Sequence, residues 1–271
     1  DPADRFDWRA AAYYLHVPMI EALFSQIAMP AKLRPLGLME VLDWTAAALN
    51  RVDRPAFFAR FDDGQAVQYF YEPFLEAFDP DLRRELGVWY TPREIVQYQV
   101  ERVDQLLRSE LGIADGLADG RVHVLDPCCG TGAYLVEVIR RIARTLNEQG
   151  GDALGANDLK QAALTRIHGF ELLPAPFVVA HLQLGLLLNG LGAPLADSGE
   201  RVGVCLTNAL TGWEPPDPAK EQVVQLHLAG IPELRAERDL ARQVKRAAPI
   251  LVVLGNPPYS GYAGIARIEE E

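Results

Sequence analysis

The chain predicts an α/β fold in which a doubly wound, mainly parallel sheet follows a helical N-terminal region, and three observations lead there. From residue 121 onward, short apolar strand-like runs alternate with longer stretches of helical period. The last run, Ile250-Leu251-Val252-Val253-Leu254, is continuous and rich in β-branched residues, as buried parallel strands are. Residues 1–118, by contrast, carry only helical patterns. The chain therefore divides into a helical part, 1–118, and an α/β core, 119–271.

In chain order, helices are expected near 17–29, 38–51, 65–78 and 92–111, punctuated by Pro30, Pro35 and the turn Asp62-Asp63-Gly64. Strands follow at 121–126, about 166–171, about 201–207 and 250–255, with helices near 132–148, 174–190 and 231–247. The glycine-rich stretch 150–157 reads as slack between the first two strands, and Gly212 to Pro218 as a proline-rich loop. No internal repeat is present.

Composition bounds the function without naming it. The 271 residues are 49% hydrophobic and 23% charged, enough to bury a substantial core. Three cysteines have no metal-ligand spacing and no disulfide framework, which points to a reducing, cytoplasmic location. Cys128 and Cys129 read as small residues in a crowded turn. His16, His123, His168, His181 and His227 are scattered without metal spacing, and His123 and His168, on strands, read as satisfied structural histidines. Arg238, Arg242, Lys245 and Arg246 fall at helical spacing and read as a solvated face. No apolar stretch is long enough to span a bilayer.

Two turns carry the chemistry. The strand 121–126 runs into Asp126-Pro127-Cys128-Cys129-Gly130-Thr131-Gly132 and then a helix, so backbone N–H groups and a helix dipole converge on a pocket suited to a carboxylate. The three spaced glycines of a dinucleotide fingerprint are missing, which argues against a nicotinamide or flavin cofactor. Asn256-Pro257-Pro258-Tyr259 follows the last strand at its carboxyl end, where open α/β sheets place ligands. Its two prolines remove two backbone donors, leaving the Asn256 amide and backbone carbonyls to meet a planar amino group, while Tyr259 offers a ring for stacking. Glu171, at the end of the second strand beside Leu172, is placed to accept ribose hydroxyls. It lies much farther along than the roughly 20 residues usual for a dinucleotide fold.

Taken together, DPCCGTG at 126–132 and NPPY at 256–259 resemble the S-adenosylmethionine-dependent amino-methyltransferases, in the motif order of N6-adenine DNA methyltransferases. Gly87-Val88-Trp89-Tyr90-Thr91-Pro92 resembles the segment that closes over the cofactor in this group. With Tyr71-Glu72-Pro73-Phe74-Leu75 and Asp79-Pro80-Asp81-Leu82-Arg83 before it, the chain from about Tyr71 onward resembles the methylase region of type IIG and type ISP restriction-modification enzymes. That resemblance implies a Rossmann-like methyltransferase sheet and S-adenosylmethionine as cofactor. The cofactor would be held by Tyr90, Thr91, Pro92, Asp126, Pro127, Gly130, Thr131, Gly132, Glu171, Leu172 and Asn208, with Asn208 facing its adenine. Asn256, Pro257, Pro258 and Tyr259 would hold a flipped target adenine, and no metal is implied.

The net charge of −11 opposes DNA binding by this chain alone. A chain that opens on Asp1 and stops shortly after Tyr259 is expected to belong to a longer protein, with the last part of the fold, a DNA-recognition domain and an attached nuclease or helicase elsewhere. Double-stranded DNA is then the expected partner. Two other readings use the same motifs: a protein glutamine methyltransferase, disfavoured by the Tyr90-Thr91-Pro92 segment, and a non-catalytic cofactor-binding scaffold in a defence complex.

Overall fold

The computed structural model describes residues 5–9, 17–58, 91–150, 153–196, 199–213 and 232–258. The chain divides into two compact units, one of residues 1–62 with 196–200 and the other of 63–195 with 201–271. The first unit contains α1 (Pro18–Ile27), α2 (Pro30–Leu33), α3 (Leu38–Leu49) and α4 (Arg54–Phe58). Pro18 and Pro30 each open a helix, where a missing N–H costs nothing. The helix expected at 65–78 lies outside the described residues.

The second unit holds α5 (Arg93–Ser109), β1 (His123–Asp126), α6 (Ala133–Glu148), α7 (Ala153–Thr165), β2 (Ile167–Glu171), α8 (Pro174–Gly190), β3 (Gly203–Leu206), α9 (Pro232–Ala247) and β4 (Ile250–Val253). The four strands form one parallel sheet in the order β3-β2-β1-β4. From β1 the chain steps outward through β2 to β3, then returns to the opposite flank of β1 as β4. Right-handed crossovers put α6, α7 and α8 on one face and the returning α9 on the other. On the α9 face, Leu125, Phe170 and Cys205 from three adjacent strands pack with Ala241.

One element differs from expectation. The glycine-rich stretch was expected as slack, yet most of it belongs to α7. Its glycine and polar start hide the helix, and the pattern Leu159, Ala162, Ala163 that buries it lies beyond that start. The distance in sequence between β1 and Glu171 is thus filled by two helices.

Helix α5 buries Val96, Val100, Asp104 and Leu107, a stripe at helical spacing. Its carboxylate is the anchor. Asp104 Oδ2 accepts from Arg108 Nε at 2.9 Å and Arg141 Nη2 at 2.7 Å, and Oδ1 accepts from the Leu117 N–H at 2.8 Å. Burial opposes its ionisation, but these donors hold the carboxyl below the usual range. Nearer the N-terminus of α5, Tyr134 donates its hydroxyl to Gln99. Helix α5 is therefore fastened to α6 at two levels.

Arg166 performs a related task under β1. Its Nη1 donates to the Leu117 and Val122 carbonyls at 2.8 and 3.1 Å, and Nη2 to the Ala118 carbonyl at 3.1 Å. Truncation leaves three carbonyls at the entry to β1 without this donor. Arg166→Met is expected to lower stability by about 2–4 kcal/mol. Urea unfolding measures it, and a loss under about 0.5 kcal/mol, the level of an ordinary surface change, would contradict this role.

Candidate active site

The sheet order makes the carboxyl ends of β1 and β4 a topological switch point, because the chain leaves β1 toward β2 on one side and meets β4 on the other. Leu125 pairs with Val253, and the Leu254 N–H donates to the Leu125 carbonyl at 3.1 Å. The two motif turns therefore leave adjacent, in-register strands.

Asp126 ends β1 and is fully buried. Its Oδ1 accepts from the Cys128 N–H at 3.0 Å, while Oδ2 has no hydrogen-bond partner among the described residues. Burial, opposed by the Cys128 hydrogen bond and reinforced by the charge of Glu171, pushes its carboxyl up to about 7. Across the switch point stands Gly255. A Cβ there would come within 2.4 Å of Asp126 Oδ1, so only glycine lets the β4 exit approach the carboxylate.

The turn after Asp126 reverses through Gly130 at φ +55° and Gly132 at φ +94°, both left-handed. The Gly132 N–H donates to the Cys129 carbonyl at 2.8 Å, and Gly132 is the N-cap of α6 with no side-chain cap. Glu171, buried at the end of β2, supports this turn: its Oε2 accepts from the Gly130 N–H at 2.8 Å and Oε1 from the Leu173 N–H at 2.7 Å. Burial raises its pKa against these hydrogen bonds. A carboxylate has about four acceptor positions, so both oxygens keep capacity for a ligand. Leu172 beside it is exposed, and Pro127 and Thr131 are half-buried in the turn.

On the β4 side, Asn256 and Pro258 are half-buried and Pro257 is exposed. Asn256 Nδ2 donates to Thr91 Oγ1 at 2.9 Å. Thr91 precedes Pro92, the N-cap of α5. Asp126, Gly130, Glu171, Gly255, Asn256 and Thr91 are thus linked into one site by successive contacts. Tyr90 and Tyr259 lie outside the described residues. Asn208, after β3, accepts from the Leu210 N–H at 2.8 Å through its side chain, a local turn that holds it beyond the strand end.

Lys245 corrects the expectation of a solvated basic face. It is buried, and Nζ donates to Thr207 Oγ1 at 3.0 Å and to the Asn208 and Thr211 carbonyls at 2.6 and 2.8 Å, with Nζ 5.0 Å from the Phe170 ring centroid. It thereby pins the loop bearing Asn208. The available signal was spacing: Glu237, Ala241 and Lys245 recur every fourth residue on one helix face. Glu237, likewise buried, pairs with Arg201 and accepts from the Leu206 N–H at 3.1 Å, fixing α9 on β3.

The histidine expectation also needs correction. His123 and His168 stack with centroids 5.9 Å apart, yet both His168 nitrogens and His123 Nδ1 lack hydrogen-bond partners among the described residues. Burial, with the neighbouring His123, pushes His168 down to about 4, so it sits neutral as a packing ring. Cys128 and Cys129 are free, and burial raises both thiols, leaving them protonated. Among the described residues no cluster of His, Cys, Asp or Glu could hold a metal, and no helix is long and apolar enough to cross a membrane.

The raised carboxyl at Asp126 has a stability consequence with a definite sign. Between the ordinary value of 3.8 and about 7 the folded protein binds a proton that the unfolded chain releases. The contribution of Asp126 to stability therefore falls as pH rises through that window and levels off above it, while the buried His168 and His181, pushed down to about 4 and about 3, contribute in the opposite sense below their ordinary value. Asp126→Asn should remove the Asp126 contribution, so the stability of wild type relative to the variant should fall as pH rises through the window. Unfolding curves of both proteins at several pH values measure it, and a difference that does not change with pH would contradict the raised carboxyl.

The family model described as N-6 DNA Methylase matches residues 63–196, a span containing the glycine turn and Glu171; NPPY lies beyond it. Among solved structures, the chain resembles that of a DrdV–DNA complex, with a TM-score of 0.64 and 24% identity over 93% of this chain and 22% of that one. The type ISP restriction-modification enzyme LlaBIII bound to DNA gives 0.63 and 19% over 93% and 17%. A nuclease-deletion mutant of the type ISP enzyme LlaGI with a DNA substrate mimic gives 0.62 and 18% over 93% and 19%. The chain spans about a fifth of the length of these solved relatives, and at such identities the likeness is one of fold. Residues 63–196 match the N-6 DNA Methylase family model, and that span holds β1 and β2 of the parallel sheet.

Proposed function

We propose that this chain is the modification region of a restriction-modification or phage-defence enzyme, transferring a methyl group from S-adenosylmethionine to N6 of a flipped adenine in DNA. One observation carries the reading: the glycine turn after β1 and the NPPY turn after β4 leave adjacent strands at a switch point and approach each other at Asp126 and Gly255. The N-6 DNA methylase match supports the reaction class.

The residues present fit the cofactor. Among the described residues, Asp126 Oδ2 is a buried oxygen without a hydrogen-bond partner, Glu171 is a buried carboxylate with spare acceptor positions, and Gly130 meets no atom where a Cβ would stand. Gly130, Thr131 and Gly132 would hold the methionine end near the start of α6, Glu171 the ribose, and Asn208 the adenine edge. When bound, S-adenosylmethionine supplies a methyl group activated by a positively charged sulfur.

The remaining work falls to this chain's own side chains. An exocyclic amine is a weak nucleophile because its lone pair is delocalised into the ring. Asn256 Oδ1 and the Pro257 carbonyl accept its two hydrogens and favour a pyramidal nitrogen. Tyr259 stacks on the extruded base, a contact worth about 1–3 kcal/mol. Orientation dominates, and no strong general base is required. Burial raises the carboxyls of Asp126 and Glu171, and a cationic ligand beside them would favour their ionised form.

Duplex DNA is the proposed substrate, gripped chiefly by parts of a longer polypeptide, because −11 on these residues repels phosphate. The solved relatives, far longer than this chain, were captured with DNA. A reducing cytoplasm suits the three free thiols.

In the polypeptide as encoded, Asn256→Ala should abolish transfer of labelled methyl to DNA while calorimetric binding of S-adenosylmethionine stays near wild type. Tyr259→Phe should keep much of the activity, since stacking needs the ring, and Tyr259→Ala should lose most of it. Digestion of the product to nucleosides identifies the acceptor. Label in cytosine, or in protein glutamine, would sink the adenine assignment.

A further inference from the structure

We propose that Lys245 is a positioning residue that shapes the loop after β3 to receive the base end of the cofactor, an inference that rests on the methyl-transfer reading above. The loop, from Thr207 to Trp213, leaves the carboxyl end of β3 and carries Asn208. Lys245 lies buried on α9, and its Nζ draws three points of that loop together: Thr207 Oγ1 at 3.0 Å and the Asn208 and Thr211 carbonyls at 2.6 and 2.8 Å. An ammonium group only donates and a carbonyl oxygen only accepts, so the two carbonyl contacts run in one sense alone. An apolar side chain of similar length cannot make them.

The same frame reaches the ribose side. The Thr207 N–H donates to the Glu171 carbonyl at 2.8 Å, tying the start of the loop to the end of β2. Phe170, the residue before Glu171, has the Lys245 ammonium 5.0 Å from its ring centroid and meets the Trp213 ring edge-on at 6.4 Å. Within the loop, the Leu210 N–H donates to Asn208 Oδ1 at 2.8 Å and Trp213 Nε1 to the Ala209 carbonyl at 2.7 Å. Gly212, at φ +80°, brings the chain back beside the lysine stem, whose Cδ would stand 3.7 Å from a Cβ there. Glu171 and Asn208, the residues proposed for ribose and base, thus stand on one frame that includes Lys245. A binding group works only when held within about 0.5 Å of its productive place, so loosening this frame acts on cofactor affinity before it acts on the transfer step.

Lys245→Met keeps the stem and removes the ammonium. Arg166→Met is the control, because it strips a cation from three carbonyls at the opposite end of the sheet. In the polypeptide as encoded, calorimetry should find S-adenosylmethionine bound about 10-fold more weakly in Lys245→Met and unchanged in Arg166→Met. At saturating cofactor, kcat for adenine methylation should stay near wild type in Lys245→Met. The preference for S-adenosylhomocysteine over S-inosylhomocysteine, which has an oxo group in place of the amino group of the base, should shrink in Lys245→Met and persist in Arg166→Met. Thr207→Val, which removes one acceptor and spares the lysine, should weaken binding by a smaller factor even where Lys245→Met does not fold. In nitrogen-15-labelled protein, the Leu210 amide should exchange with water faster in Lys245→Met than in wild type. Equal loss of affinity in the lysine and arginine variants, a fall in kcat at unchanged affinity, or faster exchange at unchanged affinity would each overturn the proposal. A wild type that binds no S-adenosylmethionine would overturn the methyl-transfer reading and this inference with it. Binding that weakens only in Lys245→Met and Thr207→Val, in a protein that makes no N6-methyladenine, would uphold the role of Lys245 and overturn only the reaction.

Discussion

Parallel pairing of β1 with β4 is the constraint on which the site depends. It sets Leu125 beside Val253, and so delivers two turns far apart in sequence to one edge of the sheet. The fit at that edge has little slack, since Gly255 approaches the Asp126 carboxylate where a methyl group could not stand. A one-residue slip of β4 would turn its side chains to the opposite faces. The buried packing of Leu125, Phe170, Cys205 and Ala241 opposes such a slip, because it fixes the helix that delivers β4.

Around this edge the fold accumulates buried charge that its own contacts only partly balance. Asp126 and Glu171 both have raised pKa values, for which burial is the leading cause. Among the described residues their hydrogen-bond donors are backbone N–H groups, in contrast to Asp104 and Glu237, which pair with arginines. Perturbed carboxylates of this kind cluster at functional sites.

Much of the fold was legible because period and β-branched content speak directly: all four strands and the long helices flanking them fall within a few residues of expectation. Helix α7 was not, since glycine at its start mimics a loop while its buried stripe lies farther on. At the site, motif spacing located both turns, yet the partners of their side chains were invisible. Lys245 looked solvated because charge was read without its helix face, and the stacked His123 and His168 looked satisfied because nothing in sequence reports an unmade hydrogen bond. The contact of Thr91 with Asn256 joins residues 165 positions apart, a separation that no local pattern reports.

The central claim is that both turns serve one reaction centre, and a bisubstrate ligand tests it most directly. An adenosine joined through N6 to the methyl-donor position of an S-adenosylmethionine analogue should span the switch point. Calorimetry on the polypeptide as encoded should find it about 100-fold tighter than the cofactor half alone. An affinity no better than that half would mean that the two turns do not face a common ligand.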